Sequence, residues 1–425
     1  MVLKERRMSN PRFSIVIPTR ERHETLKYAI ESCLAQDFED YEVVVCDNYS
    51  SASTKQVVDE FASPHIRYFR SEKPLSMQDN WNLAFTHSTG DWVIFIGDDD
   101  GLLPFGLRQL DLALKRHPDV KAVRWNYAVY TWPNIIVPEY ANYLQLCLLR
   151  HEAVLDSRAT IKGVLQGNVG ANLLPNLYHS AVSREVLEDI KRRTGVVFAG
   201  FHPDTYTSFG VAYLTKRHLS LTIPISVAGF SGSSNNVAFS FMRRKHQYAA
   251  NLPAENAAYG LRINPWVPDL PTLLAVLADS FLLAKRDLFP NDSNIIFDRK
   301  LFAERFLKEM PIDDLSEWPA GVAEIRRSLE DDPGLLSWFD ELVPKVPPKV
   351  LARDALCPEI LGYRDGVLHI DTKKCGVTEV AGAARLAAGI LNYDRDDVAL
   401  DIRRLVAEGE RPWPRLKTRL KKLIS

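Results

Sequence analysis

The chain has 425 residues, 46% of them hydrophobic and 25% charged, with a formal net charge of −1. That balance suits an ordinary globular protein with a full core and excludes collagen-like and disordered chains. It also excludes a global field for holding nucleic acid, so a charged partner must meet a local patch. The length exceeds one compact domain of usual size, so two units are expected. Cys33, Cys46, Cys147, Cys357 and Cys375 are scattered, without the C-x-x-C spacing of a zinc site or disulfide framework. A reducing cytosol fits them. Met1 to Pro11 is basic and polar rather than a secretory signal, and no apolar run approaches the ~18 residues of a membrane span. A cytoplasmic protein is expected.

In chain order, Phe13–Ile17, Tyr41–Cys46, Ile66–Phe69 and Trp92–Ile96 are short apolar or β-branched runs. Helical patterns separate them at Glu24–Ala35, Lys55–Phe61 and Met77–His87. Such alternation implies a mostly parallel sheet covered by helices, with ligands beyond the carboxyl ends of its strands. Ser53 with Gln56 has the spacing of a capping box, and Pro104 suits a first helical turn. From Val120 to Ala228 the pattern is less regular: a strand at Val120–Trp125, an aromatic stretch Tyr127–Trp132, and helices near Ser183–Arg193 and Thr205–Lys216.

Composition changes at Gly229–Asn236, rich in Gly, Ser and Asn, and Pro253, Pro265, Pro268 and Pro271 follow. A domain of residues 10–240, a linker 241–271 and a mainly helical unit 272–425 are therefore expected. In the last, Thr272–Asp287, Phe297–Glu309 and Val377–Leu391 look helical, and Asp365-Gly366 can turn a small hairpin.

The strongest chemical feature is Asp98-Asp99-Asp100, directly after the apolar run Trp92–Ile96. Adjacent carboxylates at the ligand end of a strand repel one another unless a cation neutralises them, and hard oxygen ligands suit Mg2+ or Mn2+. The same residues would also serve a solvated Asp-Gly turn. Pro18, Thr19 and Arg20 end the first run, where backbone amides can meet a base or phosphate. Asp47 ends the second, where a carboxylate can accept the imide N–H of uracil or cap a turn.

Together F-S-I-V-I-P-T-R-E-R, Y-E-V-V-V-C-D-N-Y-S, M-Q-D-N-W-N-L-A-F and G-D-W-V-I-F-I-G-D-D-D-G-L-L-P resemble, in order and spacing, the motifs of family 2 inverting glycosyltransferases. The resemblance spans about Phe13–Leu110 and implies a GT-A fold. It implies that Pro18, Thr19 and Arg20 line the nucleotide, that Asp47 contacts the base, that Asn80 lies near the donor, and that Asp98 faces the ribose or sugar. Asp99 would then ligate the metal, with Asp98 or Asp100 beside it. Two departures stand out: Gly97 occupies the place of a common first acid, and Asp79 that of a common arginine.

F-H-P-D-T-Y-T-S-F resembles the family's later motif that supplies the general base, which points to Asp204, with a helix N-cap as its alternative role. His202 beside it would orient acceptor or diphosphate, or serve structure. Gly229–Asn236 with Arg243-Arg244-Lys245 reads as a loop able to close over a diphosphate, or as an exposed linker. The tail 411–425 sets Arg415, Lys417, Arg419, Lys421 and Lys422 among leucines at helical spacing, which suits an anionic membrane surface or a docked helix. The expected activity is metal-dependent inverting transfer of a sugar from a nucleotide diphosphate donor of UDP type to a glycan or lipid-linked acceptor. A nucleotidyltransferase and a non-catalytic nucleotide-sugar-binding protein are the rivals. The first is disfavoured by the lack of a Gly-rich phosphate loop carrying Lys or Arg.

Overall fold

The computed structural model describes residues 10–136, 138–234, 256–310, 312–350 and 361–391. The expected alternation opens the chain: β1 (Phe13–Thr19), α1 (His23–Leu34), β2 (Tyr41–Asp47), α2 (Ala52–Asp59), β3 (Ile66–Arg70), α3 (Met77–His87) and β4 (Trp92–Phe95). The strands run parallel in the order β3-β2-β1-β4. Every residue of β1 and β2 is buried, because helices cover both faces of the sheet. Odd positions such as Ile15 and Val43 join one core with Ile30 of α1, and even positions such as Val16 and Val44 join the other with Trp81 of α3.

Beyond β4 come β5 (Gly101–Leu102), α4 (Gly106–Arg116), β6 (Ala122–Trp125), β7 (Ala128–Thr131), β8 (Tyr143–Cys147), β9 (Glu152–Asp156), α5 (Ser157–Leu165) and β10 (Ser180–Ser183). Then follow α6 (Arg184–Thr194), α7 (Pro203–Thr215), β11 (Arg217–Leu221) and β12 (Ser226–Phe230). β10 inserts antiparallel between β4 and β6, which ends the parallel run and extends the sheet to eight strands, β3-β2-β1-β4-β10-β6-β11-β9. A second sheet of six strands has the order β13-β14-β8-β7-β12-β5, its last hairpin being β13 (Gly362–Arg364) and β14 (Val367–Asp371) around Asp365-Gly366. The two sheets meet at the chain between β4 and β5, which carries the three acids.

The described part of the expected 272–425 unit is helical apart from that hairpin: α8 (Leu273–Leu288), α9 (Arg299–Lys308), α10 (Trp318–Arg327), α11 (Pro333–Leu342) and α12 (Val380–Leu391). Its elements share the cores of the preceding sheet. Phe281 of α8 meets Phe209 of α7 edge-on at 5.2 Å, and Val380 and Ala384 of α12 join the cluster of Ile15 and Ile30. The tail 411–425 and Arg243-Arg244-Lys245 lie outside the described residues.

Two local expectations change. The Ser53–Gln56 capping box is not formed: Ser51 is the N-cap of α2 and makes no side-chain cap, because its hydroxyl is drawn to Glu21 Oε2 at 2.9 Å. The Gly-rich stretch expected to begin a loop at Gly229 instead supplies the end of β12, buried against the acids.

Candidate functional site

The carboxyl edge of the parallel strands gathers most of the polar residues singled out from sequence. Asp98 is compensated: Thr19 Oγ1 donates to its Oδ2 at 2.7 Å and Arg22 pairs with its Oδ1 at 3.1 Å. Arg22 also donates to the carbonyl of Ser233, tying the start of α1 to the chain beyond β12. Arg20 stands exposed at the end of β1, while Pro18 is buried in register with Cys46.

Asp99 and Asp100 are buried side by side, and both carboxyls are pushed well above the usual carboxylate range, first by burial. For Asp99 the neighbouring Asp100 charge adds to the rise; for Asp100 the amides of Gly229 and Gly97 work against it. Asp99 Oδ2 accepts from Ser231 Oγ at 2.6 Å and its carbonyl from Trp132 Nε1 at 3.0 Å. Asp100 spends Oδ2 on the Gly97 N–H at 2.7 Å and Oδ1 on the Gly229 N–H at 2.8 Å. Gly229 is required by this folding-back, and Gly97 leaves room for it. A Cβ at Gly229 would lie 1.7 Å from the Asp99 carbonyl oxygen, and one at Gly97 would lie 3.0 Å from Asp100 Oδ2. The space that a first acid would fill at position 97 is occupied by the carboxylates of its successors.

Asp47 accepts from Tyr68 Oη at 2.6 Å and from the Ser50 N–H at 2.8 Å, with Arg70 at 3.8 Å. The Arg70 guanidinium in turn covers the Tyr49 ring at 4.4 Å, so an aromatic and a cation frame this carboxylate. Asn80 is not brought to the acids by any of its contacts. Its Oδ1 lies 3.6 Å from Cys46 Sγ, whose side chain leaves β2 on the face opposite its neighbour Asp47.

Asp204 falls in the first turn of α7 rather than at its N-cap, which is His202 without a side-chain cap bond. Its Oδ2 accepts from Asn176 Nδ2 at 3.0 Å. Burial lowers the His202 pKa, and the Asp204 charge opposes that. Tyr178 connects this corner to the triad: burial, then the charges of Asp100, Asp204, Asp98 and Asp99, raise its phenol pKa well above the ordinary value. The charges of all four carboxylates thus act on one phenol, whose ring packs edge-on against Trp81 at 4.9 Å.

Tyr178, His179, Trp132 and Arg22 were not singled out from sequence for the site, and Ser231 was so only as part of the Gly229–Asn236 loop. Arg22 lies within the quoted T-R-E-R motif and could have been found there; His179 sits at a left-handed φ of 58° with no local signature.

As for a metal, among the described residues no three His, Cys, Asp or Glu side chains converge as a ligand set. Oδ1 of Asp99, however, receives no hydrogen bond from a described residue, while its carboxylate is buried beside another. The residues thus fit a cation held by one carboxylate and completed by a ligand's phosphate oxygens, the usual manner for Mg2+, rather than a protein cage.

A helix-covered parallel sheet with buried, under-compensated acids at its carboxyl edge has the architecture of α/β domains that bind ligands beyond the carboxyl ends of their strands. Residues 14–154 match the family model described as Glycosyl transferase family 2. It is 36% identical over 103 residues to a GalNAc(5)-diNAcBac-PP-undecaprenol beta-1,3-glucosyltransferase of Campylobacter jejuni, covering 24% of this chain and 33% of the relative. It is 27% identical over 124 residues to the Escherichia coli UDP-Glc:alpha-D-GlcNAc-diphosphoundecaprenol beta-1,3-glucosyltransferase WfgD, covering 29% and 48%. The chain therefore spans a third to a half of those relatives' own length. S. aureus TarS in complex with UDP-GlcNAc aligns with a TM-score of 0.46 at 13% identity, over 94% of this chain and 92% of that one. Among the described residues no helix is long and apolar enough to cross a membrane.

Proposed function

We propose that this protein transfers a glycosyl group, with inversion, from a nucleoside diphosphate sugar to an acceptor hydroxyl. The observation that carries the reading is the buried pair Asp99 and Asp100, under-compensated at the carboxyl edge of the sheet. Buried acids with raised pKa values call for a positive ligand, and the diphosphate of a donor brings one with it. Asp99 would hold the divalent ion, Mn2+ or Mg2+, with Asp100 locking the turn behind it. The ion supplies Lewis-acid neutralisation of the departing diphosphate.

Asp47, framed by Tyr68, Arg70 and Tyr49, would receive the base, with Pro18, Thr19 and Arg20 along the nucleotide. Asp98 would face the ribose or sugar, and Asn80 would support the wall behind it. In the transfer the acceptor oxygen bonds to the anomeric carbon from the face opposite the leaving group. The bond to the diphosphate oxygen breaks with its electron pair, and the acceptor proton passes to Asp204. The printed names of the two relatives give diphosphoundecaprenol-type acceptors, and that of the second gives UDP-Glc as donor. A UDP-sugar and a lipid-linked acceptor are accordingly the reading here, with the cationic tail 411–425 resting on the cytoplasmic membrane face.

Incubating the full chain with UDP-, GDP- and dTDP-sugars and Mn2+ tests this. Release of nucleoside diphosphate on addition of a lipid-linked acceptor is the expected result. Release of pyrophosphate, or tight binding with no turnover, would instead mark a nucleotidyltransferase or a binding protein.

A further inference from the structure

His179 precedes β10 and holds a left-handed φ of 58°, uncommon for a residue other than glycine. A hydrogen-bond chain holds its imidazole. Trp125 Nε1 can only donate, and does so to Ser226 Oγ at 2.8 Å. Among the described residues the buried Ser226 hydroxyl has no acceptor other than His179 Nδ1 at 2.8 Å, so its proton is directed there. A ring nitrogen that accepts carries no proton, so the imidazole N–H is on Nε2. The Tyr127 ring lies over the imidazole at 4.4 Å and sets its plane.

That N–H faces the acid cluster without touching it. Nε2 stands 3.8 Å from Asp100 Oδ2, too far for a direct hydrogen bond, and 10% of the histidine side chain remains open to solvent. A donor and an acceptor at this separation can share one small amphoteric group. A hydroxyl accepts from Nε2–H and gives its own proton to Asp100; a phosphate oxygen only accepts, and would be repelled by the carboxylate.

We infer that His179 binds a hydroxyl of the donor sugar, clasped between its Nε2–H and Asp100, and so takes part in selecting the sugar. This rests on the glycosyl-transfer reading above. The Trp125–Ser226 chain fixes the tautomer that the contact requires.

The test uses the full-length His179→Gly, His179→Gln and Ser226→Ala proteins, with UDP, UDP-glucose, UDP-N-acetylglucosamine and monodeoxy analogues of whichever sugar the wild type turns over. Glycine tolerates the backbone conformation, so His179→Gly is expected to melt near the wild type and to bind UDP unchanged. Its kcat/KM for the UDP-sugar is expected to fall at least tenfold. Glutamine, which carries an N–H at similar reach, recovers part of that, and Ser226→Ala loses less than glycine does. One deoxy analogue penalises the wild type tenfold or more and His179→Gly hardly at all. A His179→Gly protein with kcat/KM within twofold of wild type overturns the inference, as does one losing UDP affinity in the same proportion. If His179→Gly does not fold, the deoxy-analogue comparison in Ser226→Ala and His179→Gln decides in the same way. A wild type inert toward every donor strikes the glycosyl-transfer reading itself, a different outcome from an active wild type indifferent to His179.

Discussion

At the amino edge of the parallel strands Glu42 is buried and richly partnered, accepting from Ser14 Oγ at 2.6 Å, Arg67 at 2.6 Å, and the Thr89 amide and hydroxyl at 2.5 and 2.8 Å. Burial alone would raise its pKa, but these bonds together bring it below the ordinary value. At the opposite edge Asp99 and Asp100 are as deeply buried, yet their bonds do not offset burial and mutual repulsion, and both pKa values rise. The same sheet thus completes one acid site and leaves the other short of positive charge. Satisfied buried acids support the fold, whereas unsatisfied ones mark where a ligand is to complete the arrangement.

The contrast can be broken most severely at Gly229. Alanine there would set a Cβ 1.7 Å from the Asp99 carbonyl oxygen, so β12 must move off the acid turn. A loss of about 3 kcal/mol in urea unfolding is expected, the upper range for overpacking, together with loss of donor binding. Glu42→Ala strands several buried donors and should cost about 2 to 3 kcal/mol while the remaining folded protein still binds UDP. Asp99→Asn should have the opposite sign on stability, a gain on the order of 1 kcal/mol at pH 8 without metal, because it removes a buried charge that lacks a full complement. Destabilisation by Asp99→Asn in the metal-free protein would show that its carboxylate is already satisfied.

pH sharpens the same comparison. The Asp99 pKa is raised by folding, so its contribution is fully present below the ordinary 3.8 and is lost as pH climbs into the neutral range. The Glu42 pKa is lowered by folding, so its contribution is present above the ordinary 4.5 and is lost as pH falls below it. Unfolding free energies of wild type minus Asp99→Asn should therefore drop from pH 4 to pH 8, and wild type minus Glu42→Gln should drop from pH 6 to pH 3. Saturating Mn2+ with UDP should abolish the first difference alone.

Much of the first hundred residues was legible because local periodicity decides it. Tyr41–Cys46 and Met77–His87 became β2 and α3 with bounds shifted by at most one residue. The acid run was legible because Asp98–Asp100 follows an apolar strand. Its partners were not, since Asp100 and Gly229 are 129 positions apart and no local pattern encodes such a contact. β10 escaped notice for a related reason: S-A-V-S is four residues of weak signal, made a strand by β4 and β6 on either side. The Ser53–Gln56 capping box failed because α2 begins at Ala52 after the N-cap Ser51, which leaves Ser53 inside the helix, a bound that spacing alone does not fix.

In the proposed function Asp99 and Asp204 divide the labour, which a paired measurement of UDP-sugar affinity and transfer rate reads directly. Asp99→Asn should lose metal-dependent donor binding and turnover together. Asp204→Asn should bind the donor as the wild type does while transfer to the acceptor falls by roughly a hundredfold or more, the scale of a lost general base. Near-normal transfer by Asp204→Asn, or undiminished metal-dependent binding by Asp99→Asn, would contradict it.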